Sequence, residues 1–427
     1  MVQYIQRNEY SGLMKTKTNF KENLLIFLFV ELGFLSFIAN FSYYHLPGEW
    51  VISTAMLILV MLMSISDSQI SSSKKKEAFV FGIAWTIVYM TSIIINNGIP
   101  DNKFFFYLIF GVLFLTLHQN MQVKVSRIFV WALSILLTLS IFEFILYEVL
   151  GYGVVLGNVV RETAVKDSYF VHLLFNVISY ELLIPRFQSI AEEPGLVGTL
   201  CAFLLFLTSQ MKNLKYPFYV FLISGILTFS LAFYAIAGFF FILNTKKIKH
   251  IFIVALIGGV VVFMVRDRFE TLIIERIVDK NIEEIDDRST ERFDSYFDDA
   301  SRRGNLWLGV GFGNLPGDLH SGGKGGVAGA KKWIYQYGFI CFGIVFLTYN
   351  FLYFHRKKGK MGFYDWVFLI IFWLSYYQRQ TIERPYTLLV YLALPLVTSV
   401  KKDARLHDRE KIARYKNTAV LKDTEVF

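Results

Sequence analysis

Cysteine is scarce in this chain of 427 residues, which contains only Cys201 and Cys341. Both lie inside apolar runs, where cysteine acts as a small apolar residue, so we expect neither a disulfide nor a thiolate metal site. The sequence also lacks paired cysteines at metal-binding spacing and a His-Glu-x-x-His run. We therefore expect no metal ion and no cofactor.

Complete nucleotide-binding motifs are missing as well. The run "GVGFGN" lacks the third glycine of the dinucleotide fingerprint, and "HSGGKGG" lacks the Ser or Thr that follows the lysine of a P-loop. The chain has no internal repeat of the kind that many transporters carry. We expect no nucleic-acid partner.

Apolar residues are abundant. The chain is 55% hydrophobic and 17% aromatic, with a mean hydropathy of +0.46, which is more apolar surface than a soluble core of this length can bury. This composition predicts a membrane protein. Its apolar runs, each a candidate membrane helix, are 24–44, 50–66, 78–96, 104–118, 128–150, 195–211, 218–243, 251–265, 334–354, 364–377 and 386–399.

Lysine-rich connections give the topology, because Lys and Arg accumulate on the cytoplasmic side of membrane helices. Lys215 and Lys246 flank one apolar run, yet both flanks have the cytoplasmic pattern. Two short helices with a turn around Ser230 would restore the alternation of sides. The alternative is a single tilted helix over 218–243. The hairpin gives about twelve membrane helices with both termini cytoplasmic.

The expected fold is an all-α integral membrane protein with about twelve transmembrane helices and two large extracytoplasmic loops. Its predicted segments are helices 1–5 in 1–150, the first loop in 151–194, helices 6–9 in 195–265, the second loop in 266–333, helices 10–12 in 334–400 and a cytoplasmic basic tail in 401–427.

Arginine is concentrated on the predicted outside, whereas lysine predominates inside. Either residue would satisfy the orientation rule, but only the planar guanidinium binds phosphate or carboxylate with two parallel hydrogen bonds. The external arginines therefore indicate anion binding, although pairing with nearby acidic residues is the alternative for about half of them. They are Arg161, Arg186, Arg266, Arg268, Arg276, Arg288, Arg292, Arg302, Arg303, Arg379 and Arg384.

The second external loop contains two helical patterns. Apolar residues at helical spacing over 269–278 predict a helix lying along the membrane surface. A second helix is predicted from "STERF", with Ser289 or Thr290 as its cap. A glycine-rich stretch follows, which either allows close approach of backbone to a ligand or forms a mobile loop.

The stretch "RFQSIAEEPG" ends the first external loop. Pro194 suits the first turn of the next membrane helix, and Glu192 and Glu193 then lie at the positive end of that helix. Arg186 has no such structural explanation. An arginine beside a helix N-terminus favours an anion, and a nearby carboxylate could accept a proton from a hydroxyl group.

The order of "PRFQSIAEEPGLVGT", "LTFSLAFYAIAGF", "STERFDSYF", "LWLGVGFGN" and "YGFICFG" resembles the Wzy-type polymerases of O-antigen, capsule and exopolysaccharide, relatives of the O-antigen ligases. The resemblance covers roughly 180–345 and implies a fold like that of the GT-C glycosyltransferases. It also implies a bacterial inner-membrane location. By resemblance, the enzyme transfers a growing glycan from undecaprenyl pyrophosphate to the terminal sugar of an incoming lipid-linked repeat unit.

The resemblance also suggests roles for individual residues. Arg186 and Arg292 match the arginines of the two external loops and would contact pyrophosphate, without a metal ion. Arg266 and Arg161 are further candidates, with membrane anchoring as the alternative for Arg266. Pro194, Gly195 and Ser230 belong to the motifs, although Ser230 could simply break a helix.

The general base remains open between two residues. Glu193 is one candidate, and the alternative for it is a helix-capping role. His320 is the other candidate, and the alternative for it is a loop histidine without a role in the reaction. His320 lies farther from the next helix than the ligase pattern places its histidine, which argues against a ligase. The remaining alternative is a flippase or other transporter. A chain-length regulator and a flippase are the expected protein partners.

Overall fold

A computed structural model of the chain describes residues 72–94, 102–117, 119–162, 166–174, 176–179, 186–189, 191, 193–211, 213–244, 291–311, 329–358, 360–378, 387–392, 394–395 and 397. The predicted runs at 24–44, 50–66 and 251–265 and the surface helix at 269–278 lie outside these residues.

The described part of the chain is mostly helical. Its helices are α1 (Ser72–Ile94), α2 (Asn102–Thr116), α3 (Gln119–Leu150), α4 (Pro194–Gln210), α5 (Lys215–Leu227), α6 (Leu231–Asn244), α7 (Glu291–Arg302), α8 (Gly329–Arg356) and α9 (Phe363–Gln378). These helices coincide with the predicted apolar runs, except for the polar α7, which begins where the "STERF" pattern predicted a helix.

Three of the described helices are long and apolar enough to cross a membrane: Lys76–Ile94, Gln119–Glu148 and Gly329–Arg356. Five further apolar helices are shorter, between 10 and 17 residues. A span of the hydrocarbon core needs about 20 residues. The chain is thus compatible with a helical membrane protein, whereas twelve spans and a GT-C-like fold remain predictions.

Helices α5 and α6 form an antiparallel hairpin, as the lysine distribution predicted. The ring of Phe233 occupies the space where a Cβ on Gly225 would lie. The ring centroids of Phe218 and Phe240 are 6.0 Å apart. In each pair the two residues are equally far from Phe229 in sequence, so the chain reverses direction at Phe229. This reversal excludes a single helix over 218–243.

Helix α4 lies at the centre of the described bundle. Almost all its residues from Gly195 to Thr208 are buried, which is the pattern of a helix covered on every side. The Phe206 ring packs against Phe240 of α6 at 5.1 Å and against Phe368 of α9 at 5.7 Å. The C-terminal half of α4 is therefore packed against α6 and α9.

The segment predicted as the first external loop contains a sheet, so the all-α expectation was wrong for this segment. Strands β1 (Val155–Glu162), β2 (Lys166–His172) and β3 (Asn176–Ser179) pair antiparallel in that order. The segments "NVV", "YFV" and "NVIS" are rich in β-branched and aromatic residues, which favour extended backbone.

A group of buried and partly buried charged side chains joins α1, α8 and α9 at one end of the bundle. Arg356 donates to the Glu77 carboxylate at 2.9 and 3.1 Å, and His355 Nδ1 lies 2.8 Å from the other oxygen of Glu77. Lys357 pairs with Asp365 at 2.6 Å. The lysine-rich segments "SSSKKKE" and "HRKKGK" therefore lie at the same end of the bundle, which the predicted topology requires.

Helix α8 is broken at Gly338, where φ is 87° and ψ is 163°. The break leaves carbonyl groups without helical partners, and Val310 N–H donates to Tyr335 O at 2.7 Å while Gly311 N–H donates to Gln336 O at 3.1 Å. A Cβ on Gly309 would lie 2.5 Å from Gln336 O. The backbone of residues 309–311, where the glycine-rich stretch begins, thus packs directly against the backbone of α8.

Candidate functional site

The structure describes the side chains of only some predicted site residues. Arg186, Glu193, Pro194, Gly195 and Ser230 are described. Arg161 in β1 and Arg292 in α7 are described by their backbone only. Arg266 and His320 lie outside the described residues.

Arg186 is half-buried and lies against the C-terminus of α5. Its Nε–H donates to the carbonyl of Thr228 at 3.0 Å, and its Nη2 donates to the carbonyl of Phe229 at 3.1 Å. A cation at the negative end of a helix dipole is favoured by about 0.3–1 kcal/mol. Arg186 therefore has a structural role that the sequence analysis did not foresee.

Every carbonyl from Ile226 to Phe229 has a partner at this helix end. Tyr234 Oη donates to Ile226 O at 2.9 Å, and Phe187 N–H donates to Leu227 O at 3.2 Å. The Arg186 side chain donates to the carbonyls of Thr228 and Phe229. Phe229 itself has a positive φ of 48°. Because the segment from 186 supplies most of these donors, the turn and that segment are fixed together.

The turn "TFS", residues 228–230, packs closely on the first turns of α4. A Cβ on Gly198 would lie 2.8 Å from both Ser230 Cβ and Thr228 Oγ1. Ser230 is buried, and its carbonyl accepts from Tyr234 N–H at 3.1 Å as α6 begins. Ser230 thus occupies the helix break, as the sequence predicted for it.

Pro194 is the first residue of α4, and Glu193 is the N-cap residue, as predicted. The exposed Glu193 side chain makes no capping hydrogen bond, but its carboxylate lies at the positive end of the α4 dipole, as expected for the structural alternative. We call residues 186–189, 193–198 and 228–230 the arginine corner. It joins a guanidinium group, a helix N-terminus and the hairpin turn.

Arg292 belongs to a different part of the molecule. It is the second residue of α7, whose buried residues form a small core separate from that of the membrane helices. In this core the ring of Phe293 packs against Tyr335 at 5.5 Å. Nearby, the exposed Arg303 pairs with Asp299 at 2.8 Å, which is the structural pairing expected for part of the external arginines.

The sequence analysis missed a buried polar group on the other side of the 186–189 segment. It consists of Ser140 and Glu143 of α3 with His172 and Asn176 of the β2–β3 hairpin, all buried. A signal for it existed, since Glu143 interrupts the apolar run 128–150, and charged residues inside membrane helices are rare and usually functional.

The comparisons with protein-family models, curated proteins and solved structures find no match for this chain. Its function must therefore be inferred from its own residues. Within the described residues no group of three or more His, Cys, Asp or Glu side chains that could hold a metal ion is found.

Proposed function

We propose that this protein is a polysaccharide polymerase of the Wzy type, in the bacterial inner membrane. It would transfer a growing glycan from undecaprenyl pyrophosphate to the terminal sugar of an incoming lipid-linked repeat unit. The observation that supports this proposal most directly is the arginine corner. Two of the segments that carry the family resemblance, "PRFQSIAEEPGLVGT" and "LTFSLAF", come into contact there through Arg186 and Thr228.

A second contact between resemblance segments supports the same proposal. The segment "LWLGVGFGN" packs on the broken helix that contains "YGFICFG", and "STERFDSYF" begins α7 in the same small core. Segments distant in sequence would be in contact if they formed one site. These contacts bring the resemblance segments of the second loop together at the break in α8.

In the proposed reaction, an acceptor hydroxyl oxygen attacks the anomeric carbon of the donor glycan. The bond between this carbon and the pyrophosphate oxygen breaks, and negative charge develops on the leaving group. Arg186 and Arg292 would stabilise this charge, an effect commonly worth several kcal/mol for one donor. The hydroxyl proton would pass to a general base, for which Glu193 and His320 remain the candidates.

The test uses the purified full-length protein in liposomes with lipid-linked repeat units as the only substrate. We expect a ladder of polymer without ATP and in the presence of a chelator, because the pyrophosphate linkage already carries the required free energy. A ladder that needs magnesium would contradict the arginine mechanism. If product forms only when lipid A core is added, the protein is a ligase.

A null strain separates the same alternatives in the cell. Loss of a polymerase should leave lipid A core that bears a single repeat unit and no ladder, since a ligase can still transfer one unit. Loss of a ligase would instead accumulate long chains on undecaprenyl pyrophosphate. Loss of a flippase would trap single repeats on the cytoplasmic side.

A further inference from the structure

The tip of the β2–β3 hairpin docks against the outer half of α3 through polar contacts. Leu174 N–H donates to Glu143 Oε2 at 2.6 Å, and Ser140 Oγ donates to Leu174 O at 3.3 Å. His172 Nδ1 lies 3.8 Å from Glu143 Oε1, which is beyond hydrogen-bond range. The edge of the Tyr147 ring packs on the imidazole at 4.9 Å.

His172 and Asn176 face each other across the hairpin and are both 0% exposed. Within the part of the chain that the structure describes, neither ring nitrogen of His172 and neither amide atom of Asn176 has a hydrogen-bond partner. A buried polar atom without a partner opposes docking, because the hydrogen bonds it made with water are not replaced. These four atoms therefore weaken the docking of the hairpin on α3.

The hairpin is connected to the arginine corner. Val177 N–H donates to Ser189 O at 2.8 Å, and the hydroxyl groups of Ser189 and Ser140 are 2.8 Å apart. The rings of Phe187 and Phe144 pack edge to face at 5.5 Å. Because Arg186 adjoins Phe187, its position depends on how the hairpin docks on α3.

The charge state of His172 is set by few groups. Among the described residues, the titratable groups that face it are Glu143 and Tyr147 on α3, whereas β3 contributes the uncharged Asn176 and the β1 side contributes the backbone of Gly153. Burial lowers the pKa of His172 below its ordinary value of 6.5. The docked form thus prefers the neutral imidazole.

We propose that the β2–β3 hairpin, which Glu143 and Ser140 hold on α3, is a proton-responsive latch: uptake of a proton by the buried His172 releases the hairpin, and docking of the hairpin positions Arg186. The docked state binds the proton less well than the released state, so docking is strongest above about pH 6.5. It weakens as the pH falls below that value towards the lowered pKa of the docked form, by at most about tenfold per pH unit for one proton. The docking claim stands by itself, and only its effect on polymer rests on the proposed function.

Docking can be measured without any activity assay. We would place one cysteine at the buried Val177 in full-length protein in which Cys201 and Cys341 are replaced by alanine, and measure its rate of modification by a maleimide. The reference is a cysteine at Tyr152, which is 76% exposed. The ratio of the two rates cancels the pH dependence of the thiol and reports protection of the hairpin.

We expect protection to fall several-fold from pH 7.5 to pH 5.5, and this fall to be absent in His172→Gln, because glutamine cannot take up the proton. Protection that stays constant or rises on acidification would overturn the latch, since ion pairing with Glu143 would then outweigh burial. Retention of the pH dependence in His172→Gln would overturn it equally.

Two glycines provide a matched pair of variants. A Cβ on Gly153 would lie 2.8 Å from His172 Nδ1, whereas a Cβ on Gly157 has no neighbour within 4 Å. Gly153→Ala should lower protection at every pH, and Gly157→Ala should not change it. Equal protection in both variants would contradict the docked geometry. If protection follows pH but polymer synthesis is absent, the proposed function fails and the latch stands.

Discussion

Arg186 Nε–H donates to the backbone carbonyl of Thr228, forty-two residues later in the chain, at 3.0 Å. This hydrogen bond joins the end of the predicted first external loop to the tip of the α5–α6 hairpin. It gives Arg186 a second role beside the proposed contact with pyrophosphate, because it also completes the end of a helix. Experiments on this residue must separate the two roles.

Replacing Arg186 with alanine should abolish polymer and also lower the melting temperature. The carbonyls of Thr228 and Phe229 lose their partner, which costs about 1–3 kcal/mol. Lysine keeps a cation at the helix end but not the planar fork, so Arg186→Lys should recover most of the stability and only part of the polymer. Thermal unfolding in detergent and polymer ladders on gels measure the two effects.

The two readouts together decide the role of Arg186. Full polymer from Arg186→Ala would contradict the proposed contact with pyrophosphate. If Arg186→Lys restores stability and polymer to the same degree, helix capping explains the phenotype without pyrophosphate binding.

Replacing Arg292 with alanine should remove polymer while leaving the amount of protein unchanged. Arg303→Ala is the matched control from the end of the same helical segment, since Arg303 makes an exposed ion pair with Asp299 that contributes little. Polymer ladders and membrane protein levels are compared for both variants. Equal polymer from the two would show that Arg292 is another surface arginine.

Replacing Gly198 with alanine should disrupt the arginine corner. The added methyl group would lie 2.8 Å from Ser230 Cβ and from Thr228 Oγ1, both part of a tight turn, so we expect a loss of about 1–3 kcal/mol in stability. Gly238→Ala in α6 is the control, because its Cβ meets no atom within 4 Å. This control should be neutral or stabilise the helix by up to about 1 kcal/mol.

The melting temperatures of the two variants in detergent test this geometry. A stable Gly198→Ala protein would mean that α4 does not approach the turn this closely. A destabilised Gly238→Ala protein would point instead to a general intolerance of alanine in these helices.

The sequence predicted some of these features because their cause is local. Lysines on both sides of 218–243 sufficed to predict the hairpin, since charge distribution governs topology and can be read along the chain. The contact of Arg186 with Thr228 could not be predicted, because it depends on how α4 and the hairpin pack in space. The strands at 155–179 could not be predicted from charge, because strand formation depends on β-branched and aromatic residues and on pairing between strands.

The predicted topology is tested by two cysteines at exposed, described positions. Ser301 lies at the end of α7 in the predicted second external loop, and Lys360 lies in the lysine-rich connection between α8 and α9. Both natural cysteines are buried, so background labelling should be low. A membrane-impermeant maleimide should label Ser301→Cys in intact spheroplasts and label Lys360→Cys only after the membrane is permeabilised.

This experiment separates the two possible orientations, because α8 runs from the second loop to the lysine-rich connection. Its apolar stretch, Gly329–Arg356, is one of those long enough to cross a membrane. Labelling of both cysteines before permeabilisation would mean that α8 does not cross the membrane. Labelling of Lys360→Cys alone would invert the topology and place Arg292 on the cytoplasmic side, where undecaprenyl-linked chains are not expected to be polymerised.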